Sequence, residues 1–194
     1  MRSRRASSNV PHRAAGFSLI ELLVVIGIIV ILAGLLMVAI GKVTQSAKRA
    51  KAKVQIKQIE KAFIAYHDEY GEWPVFGSEN EAAAGINYDT NVVNLLNGEI
   101  VTVAGDNLNP QKIEYYDVTD TMVRQDADGR FGFVDPWKRC YKYMMDFNDD
   151  GVLEVVYSSS DSVEIEGACV AVWSQGPDGD DALTKDNVTS WKSQ

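Results

Sequence analysis

The sequence predicts an α+β fold: one long N-terminal helix, apolar and then amphipathic, followed by a small head built on antiparallel β-sheet. Three observations carry that prediction. Phe17–Gly41 is an apolar run of twenty-five residues with one ionisable group, Glu21. No breaker interrupts the chain between Lys42 and Tyr70. After Gln111 come short β-rich runs separated by Asp/Gly/Asn turns.

Residues 1–16 read MRSRRASSNVPHRAAG, with four arginines and no acid. A cleavable secretory signal would share this basic start. Its apolar core would be shorter than Phe17–Gly41, however, and a small-x-small cleavage site would follow. About 20 apolar residues suffice to cross a bilayer as a helix, so residues 17–41 are read as a transmembrane segment. Glu21 lies four residues into it, where a carboxylate is costly and is expected to have a partner. Cleavage before Phe17 would create an α-amino group about one helical turn from Glu21, and neighbouring chains in a staggered stack could then pair the two.

Over residues 42–70 the positions Ala52, Ile56, Ile59, Phe63, Tyr66 and Tyr70 recur at alternating spacings of four and three, one face of a helix continuing from the apolar segment. Gly71 and Pro74 stop it. Lys51, Lys53, Lys57 and Lys61 fall on other faces and form a basic band, read either as a solvated or headgroup-facing surface or as a contact for an acidic head in another subunit. The net charge of −8 is an average of +9 over residues 1–61 and −17 over residues 62–194. Such an acidic C-terminal part argues against a general nucleic-acid binder.

In the head, residues 71–194, short helices are expected at Asn91–Asn97 and around Glu79–Ala84. Strands are expected at Ile113–Val118, Tyr141–Asp146, Val152–Ser158 and Cys169–Ser174. Residues 174–187 bring Asp178, Asp180, Asp181, Thr184, Asp186 and Asn187 together with Gly176 and Gly179, a composition suited to a hard cation or to a solvated acidic loop. Asp146, Asn148, Asp150 and Gly151 fit D-x-N-x-D-G, the opening of an EF-type calcium loop, and are a weaker second metal candidate because the twelfth position is Tyr157. Asn/Asp-Gly turns between strands also occur without any metal. A disulfide between Cys140 and Cys169 and a pair of buried thiols are both compatible with the sequence. With His12 and His67 as the only histidines, no catalytic constellation is arguable, and the chain reads as a non-enzyme.

Gly16-Phe17-Ser18-Leu19-Ile20-Glu21, followed by Leu-Leu-Val-Val-Ile, resembles the prepilin motif of type IV pilins and type II secretion pseudopilins. Asp135-Pro136-Trp137, the Tyr141-x-Tyr143 alternation and the tail from Ser174-Gln175-Gly176-Pro177-Asp178-Gly179 to Trp191 are similar to the major, G-type pseudopilin. The middle is less alike, with an apparent insertion between Asp146 and Ala168, and no proline interrupts the helix.

The resemblance implies cleavage after Gly16 by prepilin peptidase, N-methylation of Phe17, and a filament contact in which Glu21 neutralises the N-terminus of an adjacent subunit. It implies a single-pass inner-membrane protein with its leader cytoplasmic and its head periplasmic. Its partners would be further copies of itself in a periplasmic filament, other pseudopilins, the inner-membrane assembly platform and lipid. It also implies calcium in the tail loop, with side chains of Asp178, Asp186 and Thr184 and carbonyls of Gln175 and Asp180 as ligands, although this loop is one residue longer between its two key aspartates. The expected role is a structural subunit driving protein secretion. A type IV pilin or minor pilin for adhesion or DNA uptake, and a membrane-anchored calcium-dependent binding module, are the alternatives.

Overall fold

The computed structural model describes residues 17–76, 89–125, 131–158, 161–179 and 186–191. The helix expected around Glu79–Ala84 lies outside them. The chain divides into two units, Met1–Thr44 and Gln45–Gln194.

In the first unit the described chain is helical from Leu19, the start of helix α1 (Leu19–Tyr70). Its apolar side chains from Leu19 and Ile20 through Leu36 and Met37, and Ile40, are exposed. Among the described residues α1 is the one helix long and apolar enough to cross a membrane.

The second unit begins with the remainder of α1, and here the expected stripe is observed. Ala52, Ile56, Ile59, Phe63 and Tyr66 are buried, joined by Gln55 and Ala62. The helix stops at Tyr70 because Gly71 adopts φ +75°, donating its N–H to the His67 carbonyl at 2.7 Å. Helix α2 (Thr90–Leu96) is capped by Asp89, whose carboxylate accepts the Asn91 N–H at 2.8 Å, and it buries Val92, Val93, Leu95 and Leu96.

The strands are β1 (Thr102–Val103), β2 (Asp106–Asn107), β3 (Val123–Gln125), β4 (Phe131–Phe133), β5 (Lys142–Met145), β6 (Val152–Ser158), β7 (Asp161–Glu166), β8 (Val170–Ser174) and β9 (Val188–Thr189). All pairings are antiparallel: β1 with β2, β3 with β4, β6 with β7, and a three-stranded sheet in the order β5-β8-β9. That sheet is buried on both faces. Tyr143, Met145, Val170 and Val172 join the core with Ile56, Ile59 and Phe63 of α1 and with α2. Met144, Ala171 and Trp173 pack with Leu153, Val155 and Ile165 of the β6–β7 hairpin. The apparent insertion is therefore the hairpin that covers the second face, and it explains why β8 is buried at every position rather than at alternate ones.

Ile113–Val118 is not a strand. Tyr115 and Tyr116 both donate their N–H groups to the Leu96 carbonyl, at 3.0 and 2.9 Å, so the segment satisfies the C-terminus of α2, and only Glu114 makes an isolated bridge, to Asn97. The disulfide considered for Cys140 and Cys169 is not formed. In the β5–β8 register Met145 faces Val170 and Lys142 faces Trp173, so the cysteines flank opposite ends of the ladder. At about 3.3 Å rise per residue they are separated by several times the reach of a disulfide.

Candidate functional site

At the N-terminus of α1, Ser18-x-x-Glu21 forms one half of a capping box. The Glu21 Oε2 accepts the Ser18 N–H at 2.9 Å, neutralising a backbone donor at the positive end of the helix dipole. Glu21 is thus already aimed at the chain's own N-terminal peptide groups, beside an exposed Phe17 and an apolar face of Ile20, Val24 and Val25. Ser18-x-x-Glu21 is a spacing legible in the sequence, and it accounts for the conformation of Glu21 before any partner is invoked. Gly16 lies outside the described residues.

Residues 11–37 match the model of the prokaryotic N-terminal methylation motif. The match spans the Gly16–Phe17 junction, Glu21 and most of the apolar run, and it supports pilin-family membership, with processing by prepilin peptidase and assembly with other pilins. Together with the single apolar N-terminal helix it supports membrane anchoring. Neither a curated protein nor a solved structure matches the chain.

The two head motifs, distant in sequence, meet in space. Asp135 is almost fully buried and accepts the N–H groups of Trp137 and Arg139 at 2.8 and 2.9 Å, shaping the Asp-Pro-Trp turn. Its other oxygen accepts the Ser174 hydroxyl at 2.6 Å, and Ser174 Oγ in turn accepts the Gly176 N–H at 3.0 Å. This relay ties the turn to the first glycine of the tail loop. Arg139 leaves the same turn, donates to the Gly176 carbonyl and lies directly against Gly179. Gly176, at φ +74°, packs its backbone on the Asp186 carbonyl, leaving no space for a Cβ.

Helix α1 reaches this region twice. Trp137 Nε1 donates to Gln45 Oε1 at 3.0 Å, and Arg49 Nη2 pairs with Asp186 Oδ1 at 2.6 Å. Both ends of that ion pair are partly exposed, so it positions the loop more than it stabilises it. Beyond it, Val188 and Thr189 form β9 on the sheet edge, Ser190 and Val172 exchange hydrogen bonds, and Trp191 meets Trp173 edge-on at 5.9 Å.

Of the ligands expected in the tail loop, Gln175, Asp178 and Asp186 are described, whereas Asp180 and Thr184 lie outside the described residues. The donor set is all oxygen, which fits a hard cation. Two arginines already supply positive charge there, one on Asp186 and one on the Gly176 carbonyl. Among the described residues no group of three or more His, Cys, Asp or Glu side chains is placed to share a metal ion.

The second acidic loop, Asp146–Gly151, joins β5 to β6. Asp146 Oδ2 accepts the Gly151 N–H at 2.8 Å, and Asp150 takes the Asn148 amide on one oxygen and the Val152 N–H on the other, each at 2.8 Å. Asp146 Oδ1 is buried without a hydrogen-bond partner. An orphaned buried acceptor costs about 1–3 kcal/mol. Asp149 connects this loop to the end of α1: its Oδ1 accepts Trp73 Nε1 at 3.3 Å and lies 3.8 Å from His67 Nε2, and the His67 and Trp73 rings stack at 4.1 Å.

A buried phenol at the helix–sheet interface was not anticipated. Tyr141 donates to Gln55 Oε1 at 3.0 Å, a polar link across the core. Burial, and secondarily the Asp135 carboxylate, pushes its phenol well above the ordinary tyrosine range. Tyr143, packed on Phe63 at 5.2 Å, has a buried hydroxyl with no partner, and burial pushes that phenol upward as well.

Proposed function

We propose that this chain is a structural subunit of a type II secretion pseudopilus, cleaved after Gly16, methylated on Phe17 and assembled through its N-terminal helix to drive protein export. The observation that carries the reading is the methylation motif spanning the Gly16–Phe17 junction and Glu21. The head supports the pseudopilin form of it: the Asp-Pro-Trp turn and the Ser174–Gly179 loop are built as one unit through Asp135 and Ser174.

In an assembled filament, Glu21 would exchange its bond to Ser18 for the amino group of the neighbouring subunit, and the exposed apolar residues of α1 would pack on other helices or lipid. Calcium in the tail loop belongs to the same proposal, with Asp178, Asp186 and the Gln175 carbonyl as its described ligands. The ion would add charge that holds the loop's carboxylates together, while the Asp135–Ser174–Gly176 relay fixes the loop's entry independently of it. The chain itself performs no chemistry in this account.

Intact-mass analysis of the chain purified from membranes tests the processing step. A species beginning at Phe17 and carrying one added methyl group is expected. A chain that retains residues 1–16, or is cut elsewhere, would overturn the proposal.

A further inference from the structure

One buried atom is explained by neither the fold nor the assembly contact: Asp146 Oδ1. Asp146 is 3% exposed, and its backbone is fixed where β5 ends, donating its N–H to the Cys169 carbonyl at 2.9 Å. The far end of the loop is tied down equally, since Gly151 accepts the Gly167 N–H at 2.8 Å. One carboxylate oxygen closes the loop on Gly151 N–H, and the other is left in a water-excluded position with no donor. Among the described residues, the basic side chain within ion-pair distance of this loop is His67, whose Nε2 lies 3.8 Å from Asp149 Oδ1. The loop's other oxygen-bearing side chains at alternate positions, Asn148 and Asp150, are hydrogen-bonded to each other at 2.8 Å.

We propose that the Asp146–Gly151 loop binds a calcium ion, with Asp146 Oδ1, Asp150 and Asn148 as side-chain ligands and backbone carbonyls and water completing the shell. The residue pattern places an oxygen-bearing side chain at every second position. Asp149 and Gly151 adopt φ +52° and +76°, which folds the chain back around the loop's centre. Asn148 and Asp150 are exposed, so an ion can reach them from solvent, while Asp146 forms the buried floor. With two carboxylates, and Tyr157 where an EF-type loop has its bidentate glutamate, the affinity belongs to the weak class of about 10⁻⁴–10⁻³ M typical of extracellular modules. Because Asp149 holds Trp73 and faces His67, the bound ion would brace the exit of α1 against the β5–β6 connection. This site is separate from the tail loop and stands whether or not the chain is a pseudopilin.

Terbium luminescence tests it in the full mature chain in mild detergent, because Trp73 is hydrogen-bonded to the loop and can sensitise a terbium ion placed there. Tryptophan-excited emission is expected to be displaced by calcium, to weaken in Trp73→Phe, and to require roughly tenfold more terbium in Asp150→Asn. Asp150 is exposed, so that variant keeps the fold; Asp146→Asn, which keeps the buried shape, is expected to do the same to the signal. Asp178→Asn, in the tail loop, is expected to leave this component unchanged. Absence of any calcium-displaceable emission would overturn the proposal. So would emission lost in Asp178→Asn and retained in Asp150→Asn, which would place the ion in the tail loop alone.

Discussion

Replacing Asp135 removes the hub that joins the Asp-Pro-Trp turn to the tail loop. The carboxylate accepts three hydrogen bonds, from Trp137 N, Arg139 N and Ser174 Oγ, at 2.8, 2.9 and 2.6 Å. Hydrogen bonds to a charged group contribute about 1.5–3 kcal/mol each. Burying the carboxylate costs several kcal/mol in return. The net loss in Asp135→Ala is therefore expected at about 2–4 kcal/mol, since both peptide donors and Ser174 are left unsatisfied. Asp135→Asn keeps one oxygen for the two peptide N–H groups and turns its amide toward Ser174, so about 1 kcal/mol is expected. Urea unfolding of the mature chain in mild detergent, followed by tryptophan fluorescence, measures both. The order wild type, Asn, Ala should hold equally in calcium and in chelator, because no metal enters the relay. An Asp135→Ala chain within about 0.5 kcal/mol of wild type would refute the reasoning, as would Ala and Asn variants of equal stability.

The two buried tyrosines should respond oppositely to loss of their hydroxyls. Tyr141→Phe strands Gln55 Oε1 and is expected to cost about 1–2 kcal/mol, whereas Tyr143→Phe removes an unpartnered hydroxyl and is expected to be neutral or stabilising in the same urea assay. Alkaline titration offers a third check. Burial first, and Glu72 and Tyr70 after it, raises the Tyr66 phenol from 10.0 to about 12, and Tyr116, Tyr141 and Tyr143 shift in the same direction. Between those values the unfolded chain has released protons that the folded one retains, so stability is full below pH 10 and falls as pH rises toward 12. Full phenolate absorbance should then be reached only with loss of the head's circular dichroism, and ionisation of all eight tyrosines in a still-folded head would contradict the burial argument.

Some of this architecture was legible because its causes are local. The α1 stripe needs only helical periodicity, and every position from Ala52 to Tyr66 on it is buried. The stop at Gly71 needs only glycine's access to positive φ. Asp89 and α2 likewise follow from short-range capping. Pairing was not legible in that way. The β6–β7 hairpin looked like an insertion because its role, covering the second face of β5 and β8, depends on residues far along the chain. Ile113–Val118 has strand-like composition, yet its N–H groups are claimed by the end of α2.

The candidate sites divide along the same line. Phe17 and Glu21 lie within five consecutive residues, so their motif and the Ser18-x-x-Glu21 spacing within it read directly, and the structure supplies the bond that the spacing makes. The Asp135–Ser174 bond links residues 39 positions apart and has no local signature. The tail carries β9 and the Trp191 contact with Trp173 as well as the loop, so its deletion from Asp178 costs stability with or without an ion. Single substitutions at Asp178 and Asp150 are the cleaner probes.

The central claim is that this chain enters a filament through the N-terminus of α1, with Glu21 as the group that answers a neighbour's amino terminus. The most direct measurement is incorporation of Glu21→Ala, co-expressed with wild type in cells that assemble the filament, quantified as the ratio of the two chains in sheared filaments against the ratio in membranes. The account predicts normal cleavage before Phe17 and normal membrane levels, with the variant depleted at least about tenfold from filaments, as expected when one partner of a desolvated charge pair is removed. Equal ratios in filament and membrane would contradict it.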